Sequence, residues 1–309
     1  MTEPLRSLQS VVEAAQGVSA NPLRLACAAA ADRALLRAVR AAKDLGLADP
    51  LLIGDRAEIT GIAESDGISL DGMNWLDAPD ADAACRSAVA LCRSGHAGAL
   101  MKGAAPTSTV LKAVLDPLHG LRTDKILSHI AVFEPPGFGR LLLVADAGVN
   151  VAPDLAARLQ IIQNSVEVAR SLGLHRPRIA LLAASETISD AMPATRDAAE
   201  LAVMVRKSMG DAVAVNGPMS LDIAVSSAVA SNKGVDDDVA GRADLLIAPT
   251  IEVGNVLYKA MTCLTSSAVA SLVLGAAVPL VIPSRTDSEA SKLFSIALAA
   301  LFSNACRPT

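Results

Sequence analysis

The segment that decides the fold lies near the end of the chain and reads Pro279-Leu-Val-Ile-Pro-Ser-Arg-Thr-Asp-Ser288. Its apolar run predicts a buried strand that stops at Ser284 and Arg285. An apolar helical pattern then covers residues 290–302, with Ser288 as the predicted N-cap. Free backbone N–H groups and the helix dipole favour an anion at such a turn, and an arginine and a hydroxyl add a charge and a donor. The segment therefore predicts a site for a phosphate or an acyl phosphate.

Strand-like apolar runs alternate with helical patterns along most of the chain, whose 309 residues are enough for one or two domains. The predicted strands include residues 50–54, 97–103, 141–146, 178–184, 212–216 and 245–249. Near-continuous apolar strands between helices are typical of a mostly parallel sheet covered on both faces, so we expect an α/β fold.

One region departs from this pattern. Two apolar runs, residues 129–133 and 141–144, flank the turn-forming sequence Phe133-Glu-Pro-Pro-Gly-Phe-Gly139. This arrangement predicts an antiparallel hairpin within the α/β pattern. A long helical pattern follows, and it suggests a domain boundary close to residue 152.

Composition excludes several classes of function. The net charge of -5 and the few aromatic residues argue against a nucleic-acid partner. The five cysteines form no C-x-x-C pair, so neither a disulfide framework nor a zinc site is expected, and a cytoplasmic location is predicted. Residues 260–283 carry no charge, but Gly275 and Pro279 favour helix, turn and buried strand over a membrane span. Cys263 is expected to be a small buried residue and not a nucleophile.

Polar residues mark four predicted strand-to-helix junctions. They lie at residues 102–109, at 216–222, at 254–259 and at Ser284-Arg285. Ligands of open α/β sheets collect at the carboxyl ends of strands, so we expect these junctions to converge on one cleft. The P-loop, G-x-G-x-x-G, H-E-x-x-H and G-x-S-x-G motifs do not occur. The acidic run Asp236-Asp-Asp238 favours a solvated loop over a metal site, and the four histidines are scattered without the spacing of metal ligands.

Four segments carry a family resemblance: Gly217-Pro-Met-Ser-Leu-Asp222, Val239-Ala-Gly241, Pro249-Thr-Ile-Glu-Val-Gly-Asn-Val-Leu-Tyr-Lys259 and Ser284-Arg-Thr-Asp-Ser288. In this order they resemble the phosphate acetyltransferase and phosphate butyryltransferase family, over residues 51–301. Segments 120–123, 127–134 and 192–198 look closer to the butyryl branch.

The resemblance implies an architecture like that of isocitrate dehydrogenase. It has two α/β domains with mostly parallel sheets covered by helices, and the active site lies in the interdomain cleft. Residues 1–152 and 287–309 would form the first domain, completed by the C-terminal helix. Residues 153–286 would form the second domain and carry the interface of a homodimer.

The resemblance also implies a reversible reaction between acyl-CoA and inorganic phosphate that gives an acyl phosphate and free CoA. CoA is a substrate, and no metal or tightly bound cofactor is expected. The catalytic candidates are Ser284, Arg285, Lys233 and Asp287. Arg285 would clamp the phosphate beside Ser284, and Lys233 matches a family lysine near the phosphoryl group.

Six further residues are implied to bind substrate. Thr107 and Ser108 match the hydroxyl turn that contacts the acyl phosphate. Lys112 stands where many acetyl-branch members have arginine, and with Arg122 it is a candidate for a CoA phosphate. Asn255 and Lys259 belong to the Gly-Asn-x-x-Tyr-Lys motif at the cleft.

One departure leaves the general base open. Acetyl-branch members have an aspartate six residues after the equivalent of Arg285, and this chain has Ser291 there. Asp287, solvent and a phosphate oxygen are the alternatives. Two other functions are also compatible with the sequence: a long-chain acyl-phosphate synthase, and a non-catalytic module that binds acyl-CoA or phosphate.

Overall fold

The structure is a computed structural model that describes residues 3–18, 22–284 and 287–305. The strands are β1 (Leu23–Ala28), β2 (Ala48–Gly54), β3 (Asn74–Asp77), β4 (Ala99–Lys102), β5 (Ser128–Glu134), β6 (Leu142–Ala145), β7 (Arg178–Leu182), β8 (Ala214–Met219), β9 (Leu245–Ile247), β10 (Ala268–Leu274) and β11 (Leu280–Val281). The helices are α1 (Leu8–Val18), α2 (Arg33–Asp44), α3 (Arg56–Asp66), α4 (Ala81–Arg93), α5 (Thr107–Val114), α6 (Leu155–Ser171), α7 (Pro193–Met209), α8 (Leu221–Val225), α9 (Ser227–Asn232), α10 (Ile251–Leu264) and α11 (Glu289–Ala305).

The chain forms two compact units. The terminal unit comprises Leu8–Lys125 and the chain from Val269 onward. The central unit comprises Ile126–Ala268 and the segment that ends at Ser7. The predicted boundaries at residues 152 and 286 both lie further along the chain than these divisions. Strand pairing explains the difference. Strand β6 pairs with β9 and therefore belongs to the central unit, whereas β11 pairs with β4 and therefore belongs to the terminal unit.

The sheet of the terminal unit runs in the order β3-β2-β1-β4-β11-β10. Its first five strands are parallel, and β10 is antiparallel to β11. Aspartates that follow strands begin several of its helices; Asp32, for example, accepts a hydrogen bond from Leu35 N at the start of α2. Helix α11 packs against α1 and α2 through a buried face that includes Ile296 and Leu298.

The central unit has the order β5-β6-β9-β7-β8. Strands β6, β9, β7 and β8 are parallel to one another. Strands β5 and β6 form the predicted antiparallel hairpin, with Ile130 opposite Ala145. The expectation of an α/β fold with mostly parallel sheets is therefore confirmed.

Candidate active site

The turn between β4 and α5 is packed tightly against the end of β1. Lys102 is only 5% exposed, and its Nζ donates to the carbonyl oxygens of Gly103 (3.1 Å) and Ala105 (3.2 Å). A Cβ on Gly103 would lie 2.1 Å from the carbonyl oxygen of Ala29, so only glycine fits there. The turn is therefore held in place by buried backbone contacts.

Thr107 and Ser108 are the first two residues of α5, and both are exposed. The N-cap residue Pro106 makes no side-chain hydrogen bond to the helix. The first N–H groups of a helix have no partner within it, so this end of α5 offers donors to an anion. Both hydroxyls therefore lie at this helix end, and their contact with an acyl phosphate stays a prediction.

The turn between β11 and α11 links two of the predicted catalytic residues. Ser284 N donates to Asp287 Oδ2 (2.8 Å), and Asp287 N donates to the carbonyl oxygen of Ser284 (3.1 Å). Ser288 Oγ accepts from Ser291 N (3.1 Å), which confirms the predicted N-cap. Arg285 lies outside the residues that the structure describes. The Asp287 carboxylate thus helps to shape the turn.

The two turns lie at the same edge of the terminal-unit sheet. Strands β4 and β11 are parallel neighbours, with Leu100 opposite Leu280 and Met101 opposite Val281. Both strands end at this edge of the sheet, and after each of them the chain continues into a helix. This is the position at which open α/β sheets bind ligands.

Lys233 belongs to a polar cluster in the central unit. It is the residue after α9, and its Nζ lies 3.0 Å from Asp222 Oδ2. The Ser220 hydroxyl donates to Asp222 Oδ1 (2.6 Å) and also contacts the carboxylate of Glu186. Hydrogen bonds from Ser220 and then from Lys233 lower the pKa of Asp222 to about 2. Neither Ser220 nor Glu186 was among the residues predicted from the sequence.

Asn255, in helix α10, contacts the loop that follows β6. Its Nδ2 donates to the carbonyl oxygen of Ala147 (3.2 Å), and a Cβ on Gly254 would lie 2.1 Å from the carbonyl oxygen of Asp146. The buried Asp146 carboxylate accepts hydrogen bonds from the backbone N–H groups of Gly148, Val149 and Asn150. Asp146 thus orders a loop at the carboxyl edge of the central-unit sheet, a role that the sequence did not reveal.

Three predicted binding residues lie elsewhere in their units. Lys112 lines a groove of 620 Å³ between α4 and α5. Arg122 is exposed, and its backbone bridges to Ala276. Lys259 Nζ lies 5.3 Å from the centre of the Tyr258 ring. The predicted contacts of Lys112 and Arg122 with CoA, and of Lys259 with substrate, stay predictions.

Other polar groups have structural partners. Asp237 accepts a hydrogen bond from Asn216 Nδ2 (2.6 Å), and Asp238 pairs with Arg176 (3.1 Å). Within the described ranges, no three His, Cys, Asp or Glu side chains are grouped to hold a metal ion. Over the same ranges no helix is both long and apolar enough to cross a bilayer. Cys263 is exposed, so the expectation of a buried residue was wrong; it lies on the solvent side of α10.

A sequence profile described as phosphate acetyl/butaryl transferase matches residues 79–300. The chain belongs to this family. The predicted resemblance is therefore confirmed, and the family is one of transferases.

Individual relatives agree with this assignment. A phosphate butyryltransferase of Clostridium acetobutylicum is 42% identical over 278 residues, which are 90% of this chain and 92% of the relative. A phosphate acetyltransferase of Thermotoga maritima is 39% identical over 295 residues, which are 96% of this chain and 99% of the relative. The crystal structure of a branched-chain phosphotransacylase from Enterococcus faecalis V583 has a TM-score of 0.81 at 33% identity, covering 91% of this chain and 99% of that one.

The polar cluster around Asp222 gives a prediction about proton affinity. Because Ser220 is the largest cause of the lowered pKa, Ser220→Ala is expected to raise the pKa of Asp222 more than Lys233→Met does. The carboxylate stabilises the fold above its ordinary pKa of 3.8, and this contribution disappears as the pH falls toward about 2. Both variants should therefore be less stable than the wild type above pH 3.8, and this difference should vanish as the pH falls toward about 2. Carboxyl ¹³C NMR titration measures the pKa.

Asp116 is the internal control for this titration. Its pKa is lowered by hydrogen bonds from the backbone N–H groups of His119 and Leu118, so neither variant should move it. An Asp222 pKa that shifts more with Lys233→Met than with Ser220→Ala would contradict the assignment of Ser220 as the main cause.

Proposed function

We propose that this chain catalyses the reversible transfer of a short acyl group, acetyl or butyryl, between CoA and inorganic phosphate. The observation that carries the proposal is the pair of turns at the ends of β4 and β11. Thr107 and Ser108 begin α5, and Ser284 lies between β11 and α11, so all three follow neighbouring parallel strands of one sheet. Membership of the transferase family supplies the reaction class.

The proposed reaction is a direct displacement at the acyl carbon. The CoA thiolate attacks the carbonyl carbon of the acyl phosphate, the carbon–oxygen bond to phosphate breaks, and inorganic phosphate leaves with the electron pair. The reverse reaction begins with attack of a phosphate oxygen on the thioester. The protein forms no covalent bond to substrate, so it acts by holding two anionic substrates in line and stabilising the charge as it moves.

Roles for the residues follow from this chemistry. Arg285 and Ser284 would hold the phosphoryl group, and Thr107 and Ser108 would donate hydrogen bonds to it. Lys233 would approach the same group. In the free protein its ammonium is paired with Asp222, so binding would require it to share or exchange that partner.

The base and the remaining binding contacts belong to the same proposal. Asp287 is the candidate base in place of the family aspartate. Its carboxylate accepts from Ser284 N, so proton transfer would be coupled to the shape of the turn. Asn255 and Lys259 would contact substrate, and Lys112 and Arg122 would bind phosphates of CoA.

The wider arrangement stays a prediction from the resemblance. It includes the isocitrate dehydrogenase-like architecture with its interdomain cleft, the homodimer and the cytoplasmic location.

The direct test mixes purified protein with CoA and either acetyl phosphate or butyryl phosphate, and follows formation of the thioester. We expect turnover with both substrates. Each methylene in a pocket changes specificity by about 1–3 kcal/mol, so the ratio of kcat/KM values will assign the preferred chain length.

Two outcomes would redirect the assignment. If protein that still binds CoA forms no thioester with either substrate, the short-chain proposal is wrong. Turnover of long-chain acyl phosphates under the same conditions would then identify an acyl-phosphate synthase. No turnover with any donor would identify a binding module.

A further inference from the structure

Two buried lysines lie beside the turns that end β4 and β11. Lys102 is 5% exposed and Lys292 is 4% exposed. The Nζ of each donates to carbonyl oxygens of the turn that begins the next helix: Gly103 and Ala105 before α5, and Asp287 before α11. Lysine is almost never fully buried unless it is paired, so the burial of Lys292 in α11 requires an explanation.

Lys292 is the more unusual of the two. A lysine ammonium has three donors, and Nζ makes one hydrogen bond, 2.7 Å long, to the Asp287 carbonyl oxygen. Across the described ranges no carboxylate forms an ion pair with it. A buried ammonium without an anion is unfavourable, because the charge has left water and gained only a dipole in return.

The position of Lys292 in α11 adds to this cost. It is the fourth residue of the helix, which begins at Glu289. The N-terminal turn carries the positive end of the helix dipole, where cations are disfavoured and anions are favoured. Burial and helix position therefore both oppose the charge in the free protein, and an anion at the same place would remove both penalties.

We propose that Lys292 is a positioning residue whose buried charge draws the phosphoryl group of the substrate to Ser284, in the turn before α11. The inference rests on the proposed function and adds a residue to its site. The ammonium fixes the position of the Asp287 carbonyl by a hydrogen bond, and its positive charge makes the electrostatic potential at the start of α11 more favourable for an anion. It raises the affinity for inorganic phosphate and acyl phosphate and leaves the affinity for CoA unchanged.

The alternative is that Lys292 has a purely structural role. Two substitutions distinguish this role from the proposed attraction of phosphate. Lys292→Met removes both the charge and the hydrogen bond. Lys292→Gln removes the charge and retains an amide N–H that can donate toward Asp287. If charge is what matters, both variants bind phosphate weakly; if only the hydrogen bond matters, the glutamine variant behaves like the wild type.

The experiment measures KM for butyryl phosphate, KM for CoA and kcat in the wild type, Lys292→Met, Lys292→Gln and the matched control Lys207→Met. Lys207 is an exposed lysine near the end of α7. We expect KM for butyryl phosphate to rise about tenfold in both Lys292 variants, which corresponds to ~1.4 kcal/mol. KM for CoA should stay at the wild-type value, and the control should match the wild type throughout.

Thermal unfolding with and without inorganic phosphate gives a second measurement that does not depend on turnover. Phosphate should raise the Tm of the wild type, and this rise should shrink in both variants. Without phosphate, neither variant should melt below the wild type, since each removes an unpaired buried charge.

The outcomes are distinct. An unchanged KM for butyryl phosphate, or a phosphate-dependent rise in Tm equal to that of the wild type, overturns the inference while the proposed function stands. Lower Tm with unchanged KM would establish the structural role. A wild type without turnover would instead contradict the proposed function, and the phosphate-dependent Tm would still test the role of Lys292.

Discussion

Replacing Arg285 with alanine is expected to lower kcat/KM for acyl phosphate by about 10³-fold, a loss typical of removing a group that stabilises charge in the transition state. Arg285 follows Ser284 directly in the sequence. The family resemblance gives it the phosphate clamp, and a guanidinium binds phosphate through two parallel hydrogen bonds. Initial-rate measurements of thioester formation over a range of butyryl phosphate concentrations provide the value.

Two further variants make this result specific. Arg285→Lys keeps the charge but loses the paired geometry, so it should recover only part of the activity. Arg196→Ala removes an exposed arginine from α7 that pairs with Asp190 on the surface, and it should leave kcat/KM unchanged. If Arg285→Ala retains the wild-type kcat/KM, the proposed role of this residue is wrong.

Gly103→Ala is expected to destabilise the protein by about 3 kcal/mol or more, because the added methyl group would clash with backbone atoms, which cannot move aside as a side chain can. The added Cβ would lie 2.1 Å from the Ala29 carbonyl oxygen. Relief of that clash must shift the turn that leads to Thr107 and Ser108, so activity should fall as well. Urea unfolding measures the change in stability, and thioester formation measures the activity of the folded fraction.

The chain offers a matched control in Gly61→Ala. Gly61 is an exposed residue inside α3, and a Cβ there would meet nothing within 4 Å. Alanine is the better helix former, so this variant should be more stable by about 0.5–1 kcal/mol. Equal stability changes in the two variants would show that the close approach of Gly103 to Ala29 does not constrain the turn.

Most of the fold was predictable because its signals are local. Apolar runs identified most of the parallel strands, although not β3, and the proline- and glycine-rich turn identified the hairpin of β5 and β6. The extent of each unit was not predictable in the same way. It depends on which strands pair across long sequence separations, as β4 does with β11, and no local pattern specifies that choice.

The same distinction between local and non-local signals holds for the residues of the candidate site. The segments of Thr107, Ser108 and Ser284 stood out because each is a polar turn between a strand-like run and a helical pattern, which is visible in the sequence. Ser220 and Glu186 were missed, since their contact joins residues 34 apart. Lys292 carried a signal that went unused: a single lysine on the apolar face of the last predicted helix, four residues before Ile296.

The discontinuous terminal unit has a consequence for biosynthesis. The central segment emerges from the ribosome as one continuous piece, and domains fold as units during synthesis. In the terminal unit, β4 must wait for β11, which is made after the whole central segment, and such non-local pairing is slow. Until then β4 is paired only with β1, and its other edge can recruit other chains. The nascent protein should therefore depend on chaperones late in translation, and chains that stop before β11 should aggregate.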